Sequence, residues 1–372
     1  MVDRDDTEIR VRQARASDAD AVAAFTRDTW SDREDATDYL PEVFPRWVET
    51  DGPEQRTFVV EVADGGRTTG GSTDADTRVG DASSDAGTRA GNASTDAGAQ
   101  AGNTTADTRS QTGDTAPRDW TVAGVLQGVL LSETEAWAQG MRVHPDYRGL
   151  GLSPRLSRAV FQWARDRGAT VCRNMVFSWN VPGLGQSRSV GFAPGTEFRF
   201  ARPEPDADAA PSLAVVSDAA AAWSFWTESA ARDALGGVAL DFDESWSVSQ
   251  LRERDLERAA DEGRLFVVQD GGTRGFTVRA MTDESEDDGE TTRRAIYAVA
   301  AWDSTDAVDA LVDAVARDAA ELGADEVRVL VPEGVRWVSD LAAVRCRVSK
   351  EPDFVMRADL TDPAVTADFS HD

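Results

Sequence analysis

The residues best able to do chemistry lie in one run, Met141-Arg142-Val143-His144-Pro145-Asp146-Tyr147-Arg148-Gly149-Leu150-Gly151-Leu152-Ser153. A strand pattern ends at Val143, Pro145 has no N–H to offer a ladder, and two glycines let the backbone turn tightly into a helix expected over residues 151–167. The first N–H groups of a helix have no partner within it, and the helix dipole adds positive potential, so this turn is an anion site that suits a pyrophosphate. Two other phosphate-binding patterns are excluded by spacing. A P-loop needs Lys followed by Ser or Thr, which do not occur here, and a dinucleotide fingerprint needs a third glycine where Pro154 stands. Of the two histidines, His144 sits at a strand end, where a solvated loop residue is favoured over a base, and His371 is in the tail. A Ser-His-Asp triad or a histidine metal site therefore has little material, and no metal is expected.

The elements that must position this run are legible around it. Residues 8–12 alternate as a strand, and Ser17-Asp18 then start a helix carrying Val22, Phe25 and Trp30. A second helical stretch over 39–48 is interrupted by Pro41 and Pro45, and a strand follows over 57–62. Strands are predicted at 120–131 and 134–143, a helix to residue 167, a strand over 170–177, a short helix, and a final strand over 196–201. Residues 64–118 are dominated by Gly, Ala, Ser, Thr and Asp, with almost no large apolar residue, Gly80, Gly91, Gly102 and Gly113 eleven apart and no apolar seam. They read as a disordered, repeat-expanded insertion in a hairpin of the first domain, residues 1–201. Residues 202–212, rich in Pro and Asp, form the linker, and a second domain spans 213–361 before the tail 362–372. Its strands are expected at 265–269, 276–281, 295–302, 326–332 and 354–360, with a polar loop over 283–292 and a helix over 306–322.

Composition bounds the partners. The 67 acidic residues outnumber 39 basic ones, the net charge is −28, and Lys350 is the only lysine. Such a surface repels nucleic acid. It suits a salt-rich cytoplasm, because at 1 M salt the Debye length falls to about 3 Å and the self-repulsion is screened. No apolar run approaches the roughly 20 residues that cross a bilayer, and the N-terminus has no signal-like stretch, so a cytoplasmic protein without membrane partners is expected. Cys172 and Cys346 read as two small core residues.

Residues 141–153 resemble the acetyl-CoA signature of the GNAT superfamily: Arg or Gln, two residues, Gly, one residue, then Gly or Ala, after a strand ending Val-x-Pro. Arg148, Gly151 and Val143-His144-Pro145 match, and Ser153 takes the last place. A second motif agrees, since the family usually carries an Asn after its fifth strand with Gly-Phe eleven and twelve residues later, as Asn180 and Gly191-Phe192 do here. The resemblance covers about residues 7–201 less the insertion. It implies the α/β (α+β) GNAT fold, a mixed central sheet flanked by helices. The joint Arg167-Gly168-Ala169-Thr170 recurs as Leu322-Gly323-Ala324-Asp325, which suggests two tandem copies, as some GNAT proteins have. The second copy looks degenerate, because residues 303–309 have three carboxylates and no glycine where the first has its loop.

The resemblance also implies a chemistry, with acetyl-CoA as co-substrate. Main chain of Met141 and Val143 would hold the pantetheine arm in a gap between the fourth and fifth strands. Arg148, Gly149, Leu150, Gly151, Leu152 and Ser153 would hold the pyrophosphate, and Asn180 would fix the arm or cap the next helix. The expected activity is transfer of acetyl to a primary amine of a small molecule or peptide, by a monomer or homodimer of a halophilic, archaeon-like source. The alternative is a non-catalytic acyl-CoA-binding or sensing protein. The family's acid is often a Tyr seven residues after the Asn, and here that position is Ser187. Either Ser187 acts through water, or the thiolate leaves unassisted, or catalysis is slow. Glu135 shares strand parity with Met141 and is the candidate base through water, against a plain structural carboxylate.

Overall fold

The computed structural model describes residues 7–27, 29, 38–63, 119–287 and 290–366. The repeat at 64–118, Trp30 and His371 lie outside them. The first half runs β1 (Glu8–Gln13), α1 (Ala19–Thr26), α2 (Leu40–Thr50), β2 (Gln55–Ala63), β3 (Trp120–Leu130), β4 (Glu135–Val143), α3 (Leu152–Arg165), β5 (Val171–Phe177), α4 (Val181–Ser189) and β6 (Ala193–Arg202). The second runs β7 (Ala214–Val216), α5 (Ala219–Glu228), α6 (Ala230–Leu235), β8 (Val238–Leu240), β9 (Val248–Gln250), α7 (Glu253–Asp261), β10 (Leu265–Gln269), β11 (Thr273–Asp287), β12 (Glu290–Trp302), α8 (Thr305–Glu321), β13 (Glu326–Pro332), α9 (Val335–Ala343), β14 (Arg347–Val348), β15 (Asp353–Asp359) and α10 (Pro363–Thr366).

All strands among the described residues except β8 and β9 join one mixed sheet in the order β1-β2-β3-β4-β5-β15-β6-β13-β12-β11-β10-β7, with β14 beside β6. The order repeats itself. In each half a helix crosses between two parallel neighbours: α3 between β4 and β5, and α8 between β12 and β13. The two halves nevertheless do not close separately. β15, expected as the last strand of the second domain, lies between β5 and β6 and pairs antiparallel with both. β6 in turn pairs with β13 of the second half.

The amphipathic pattern of α3 explains its docking. Leu152, Leu156, Val160, Trp163 and Ala164 recur at helical spacing and are buried against the sheet. On the opposite face α1 and α2 cover Val59 and Val125 through Val22, Phe25, Leu40 and Phe44. α2 is continuous from Leu40 to Thr50, although two prolines were expected to interrupt it. Pro41 stands in the first turn, where an N–H has no helical partner anyway, so only Pro45 removes a bond. The polar loop expected at 283–292 is also a correction, because β11 and β12 carry their hairpin out to Asp287 and Glu290. Glu284 stands opposite Arg293 and Asp283 opposite Arg294, and both pairs are bridged, so charge complementarity supports the polar strand ends.

Candidate active site

Two irregularities in β4 prepare a cleft. Its parallel ladder with β5 consists of Glu135↔Val171, Ala136↔Cys172 and Trp137↔Arg173, after which the strands part. Among the described residues, 138–143 thus have a strand partner on the β3 side alone. Against β3, Val125 pairs with Arg142 and Gln127 with Gln139, so β4 spends one residue more than its neighbour and bulges at Gly140. Gly140 has φ +72°, and a Cβ there would meet the Trp47 ring at 2.7 Å, so both the backbone and the packing require glycine. Arg142 braces the bulge: its Nη1 donates to Met141 O at 3.0 Å and its Nε to Asp38 at 2.7 Å.

The loop after β4 folds as its residues dictate. Pro145–Tyr147 form one 3-10 turn, capped by His144, whose Nδ1 accepts from Asp146 N at 3.2 Å. His144 also packs against Phe25 and Tyr147, so it is a loop residue, as favoured. Gly149 and Gly151 both take left-handed backbone, and Gly151 is the N-cap of α3. Gly151 has no side chain with which to cap this helix, the first turn has no acid, and a Cβ on Gly151 would meet nothing within 4 Å. Leu152 is buried and anchors the turn, whereas Arg148, Gly149 and Gly151 are exposed and Leu150 and Ser153 half-buried. A groove of about 320 Å³ continues along α3, lined by Arg155, Arg158, Gln162 and Thr366.

The turn that leads from β12 into α8 is capped by its own side chains. Ser304 caps α8 by accepting from Ala307 N, Asp306 stands in the first turn, and Arg336 donates to the carbonyls of Trp302 and Asp303. Between α8 and its strands, Ala300, Trp302, Val308, Leu311, Val331 and Leu341 leave an apolar void of only about 20 Å³.

The two catalytic expectations are corrected. Glu135 lies at the paired end of β4, 3% exposed, where one oxygen accepts from Arg173 Nη1 at 2.5 Å and the other from Arg252 Nη2 at 2.8 Å. Gln250 N adds a third bond at 3.2 Å. Both lone-pair sets are committed to holding β9 and the start of α7 against β4, so Glu135 is a structural carboxylate. Glu135→Ala is expected to leave Arg173 buried without its counter-charge and to lower stability by about 3–5 kcal/mol, read as a reduced urea midpoint. Ser187 is 1% exposed on the inner side of α4, its Oγ accepting from Asn174 Nδ2 at 3.0 Å. The hydroxyl is thus buried and already engaged by Asn174. Asn180 caps α4, accepting from Gly183 N at 3.0 Å.

A polar cluster that sequence reasoning missed stands just before the bulge. Gln127 and Gln139 face each other in register, and Gln139 Nε2 donates to Gln127 Oε1 at 2.7 Å and to Glu244 Oε1 at 2.9 Å. Trp137 Nε1 donates to Gln139 Oε1 at 3.1 Å. Glu244 belongs to the β8–β9 loop, more than a hundred residues away in the chain. Burial raises its carboxyl pKa above the ordinary range, against the lowering effect of the Gln139 bond; Asp241 raises it further and Arg46 lowers it.

Residues 96–186 match the model of the acetyltransferase (GNAT) family. The GCN5-related N-acetyltransferase from Sphaerobacter thermophilus is similar over 96% of each chain, with 17% identity and a TM-score of 0.51. That from Kribbella flavida aligns over 95% of this chain and 71% of its own, with 14% identity and a TM-score of 0.40. The PaiA N-acetyltransferase from Thermoplasma acidophilum, solved in complex with coenzyme A, aligns over 50% of this chain and 91% of its own, with 10% identity and a TM-score of 0.32. No curated protein matches the sequence. The chain has the GNAT fold of acetyltransferases, and its two-glycine loop lies within the segment that matches that family.

Proposed function

We propose that the chain is an N-acetyltransferase that moves an acetyl group from acetyl-CoA to a primary amine of a small molecule or peptide, using the cleft of its first half. The observation that carries this reading is the N-terminus of α3, entered through two left-handed glycines beside the part of β4 that lies beyond its ladder with β5. Main chain at Met141 and Val143 would hold the pantetheine arm, and residues 148–153 the pyrophosphate, with Arg155 and Arg158 adding positive charge along the groove. Asn180 would act through the α4 turn. An amine nitrogen then attacks the thioester carbonyl while N–H groups of β4 polarise it. The second half is proposed to be a second, degenerate copy, since its capped helix and apolar void leave no place for a diphosphate.

The acidic composition points to a salt-rich cytoplasm, so the test is made in molar KCl. Calorimetry with acetyl-CoA is expected to give saturable heat with one site per chain, and an amine panel is expected to release CoA thiol. Absence of heat overturns the reading; binding without thiol release from any amine would favour a sensor.

A further inference from the structure

We propose that Glu244 takes the proton of the acceptor ammonium at the first half's cleft, so that the active site is complete only with the β8–β9 loop of the second half in place. The proposal deepens the acetyl-transfer reading and rests on it.

The orientation of Gln139 is chemically determined. An indole N–H can only donate, so Trp137 fixes Oε1 of Gln139 on its own side and leaves the NH₂ group to face Gln127 and Glu244. Gln127 is itself held, donating to Thr57 Oγ1 at 3.2 Å, which donates to Asp51 at 3.0 Å. The amide array therefore presents a donor to Glu244 and cannot take a proton from it. Among the described residues no side chain bonds the second Glu244 oxygen. The loop that carries Glu244 is held by its own hydrogen bonds: Asp241 Oδ1 accepts from the N–H groups of Asp243 and Glu244 at 3.0 Å each, and Ser249 Oγ donates to Asp241 Oδ2 at 2.7 Å. Ser247 Oγ closes the turn on Glu244 O at 2.9 Å. A half-buried carboxylate is thus aimed at the residue next to the β4 bulge, where the acetyl carbonyl would lie.

The charged groups acting on it are Arg46 from α2 and Asp241 from its own loop, and burial outweighs the Gln139 bond in raising its pKa. Such a base is matched to an ammonium substrate, whose positive charge also favours an acidic pocket. The step balances as follows. The ammonium gives one proton to Glu244, the nitrogen lone pair forms the N–C bond, and the C–S bond breaks with its pair on sulphur. The nitrogen's second proton reaches the thiolate through solvent, and Glu244 returns its proton to solvent, leaving amide, CoA thiol and one released proton. The rival carboxylate is Asp353 on the same sheet face, opposite Phe177, whose pKa burial pushes up to about 6.

The full chain is assayed by thiol release from acetyl-CoA with 2-phenylethylamine, spermidine and glycinamide, and with hydroxylamine, which is largely unprotonated at neutral pH. Glu244→Gln is expected to lower kcat with the alkylamines about 100-fold or more, to spare hydroxylamine to within about tenfold, and to leave acetyl-CoA affinity unchanged by calorimetry. The wild-type rate should fall as pH drops through the raised carboxyl pKa, and this acid limb should vanish in Glu244→Gln while Glu244→Asp and Asp353→Asn retain it. A kcat for Glu244→Gln within about twofold of wild type, or loss of the acid limb in Asp353→Asn instead, overturns the proposal. Intact acetyl-CoA binding with no thiol release from any of the four amines also overturns it, whereas failure of the wild type to bind acetyl-CoA overturns the acetyl-transfer reading on which it rests.

Discussion

Gly151→Asp is expected to weaken acetyl-CoA binding at least about 100-fold while the protein stays folded. A side chain at φ +70° costs about 1 kcal/mol or slightly more, and Asp is among the residues that bear it best. Its Cβ meets nothing within 4 Å, so no packing is lost. The carboxylate would stand at the N-terminus of α3, where a diphosphate is to be held. Two unit charges about 4 Å apart repel by roughly 4 kcal/mol at an effective dielectric near 20, which exceeds the strain and corresponds to a factor of several hundred. Gly151→Ala separates the contributions, since it carries the same backbone strain without charge and should lose about tenfold or less. Calorimetry with acetyl-CoA and thermal unfolding of both variants check this. Unchanged affinity in Gly151→Asp would remove the loop from the cofactor site.

The loop was legible in the sequence because its physics is local. Pro145, Gly149 and Gly151 restrict or free their own backbone, and no distant contact decides where α3 begins. The α3 and α8 faces were legible for the same reason. Glu135 was misread because the extra residue at the Gly140 bulge reverses the alternation, so Met141 packs on the face of Ala136 and Ala138 while Glu135 lies on the other, and because parity says nothing about what covers a face; Arg173 and Arg252 cover this one, from residues 38 and 117 positions away. Glu244 left no signal at all, since an acidic loop in an acid-rich chain has nothing to distinguish it before the fold brings it to Gln139. The strand exchange between the two halves left no signal either. Arg202, expected to open the linker, is the last residue of β6, residues 203–212 carry no helix or strand, and strand pairing runs across them. An apolar run such as Phe354-Val355-Met356 marks a strand buried on both faces without naming its neighbours, and here these are β5 and β6 of the first half.

That exchange carries the second large expected effect. A chain ending at Lys350 lacks β15, and residues 1–202 alone lack it too, so neither is expected to unfold cooperatively. β15 pairs with β5 along its whole length, from Asp353↔Phe177 to Asp359↔Val171, and with β6 from Asp353↔Phe198 to Arg357↔Ala193. Its removal strips β5 of the partner that remains after β4 diverges, and it exposes the neighbours of Val355, Met356, Ala358 and Leu360, all 4% exposed or less. At about 1.5–3 kcal/mol for each of the three large side chains, the apolar loss alone is roughly 5–9 kcal/mol, comparable with the whole stability of an ordinary domain. The ladder bonds of β5 and β6 are lost in addition. Fragments 1–202 and 203–372 should therefore be poorly folded apart and should co-purify as a one-to-one complex when expressed together, with a single cooperative thermal transition in circular dichroism. A monomeric 1–202 fragment with its own sharp transition would mean that β6 closes the first half unaided, and that the strand exchange contributes little to holding the cleft between β4 and β5.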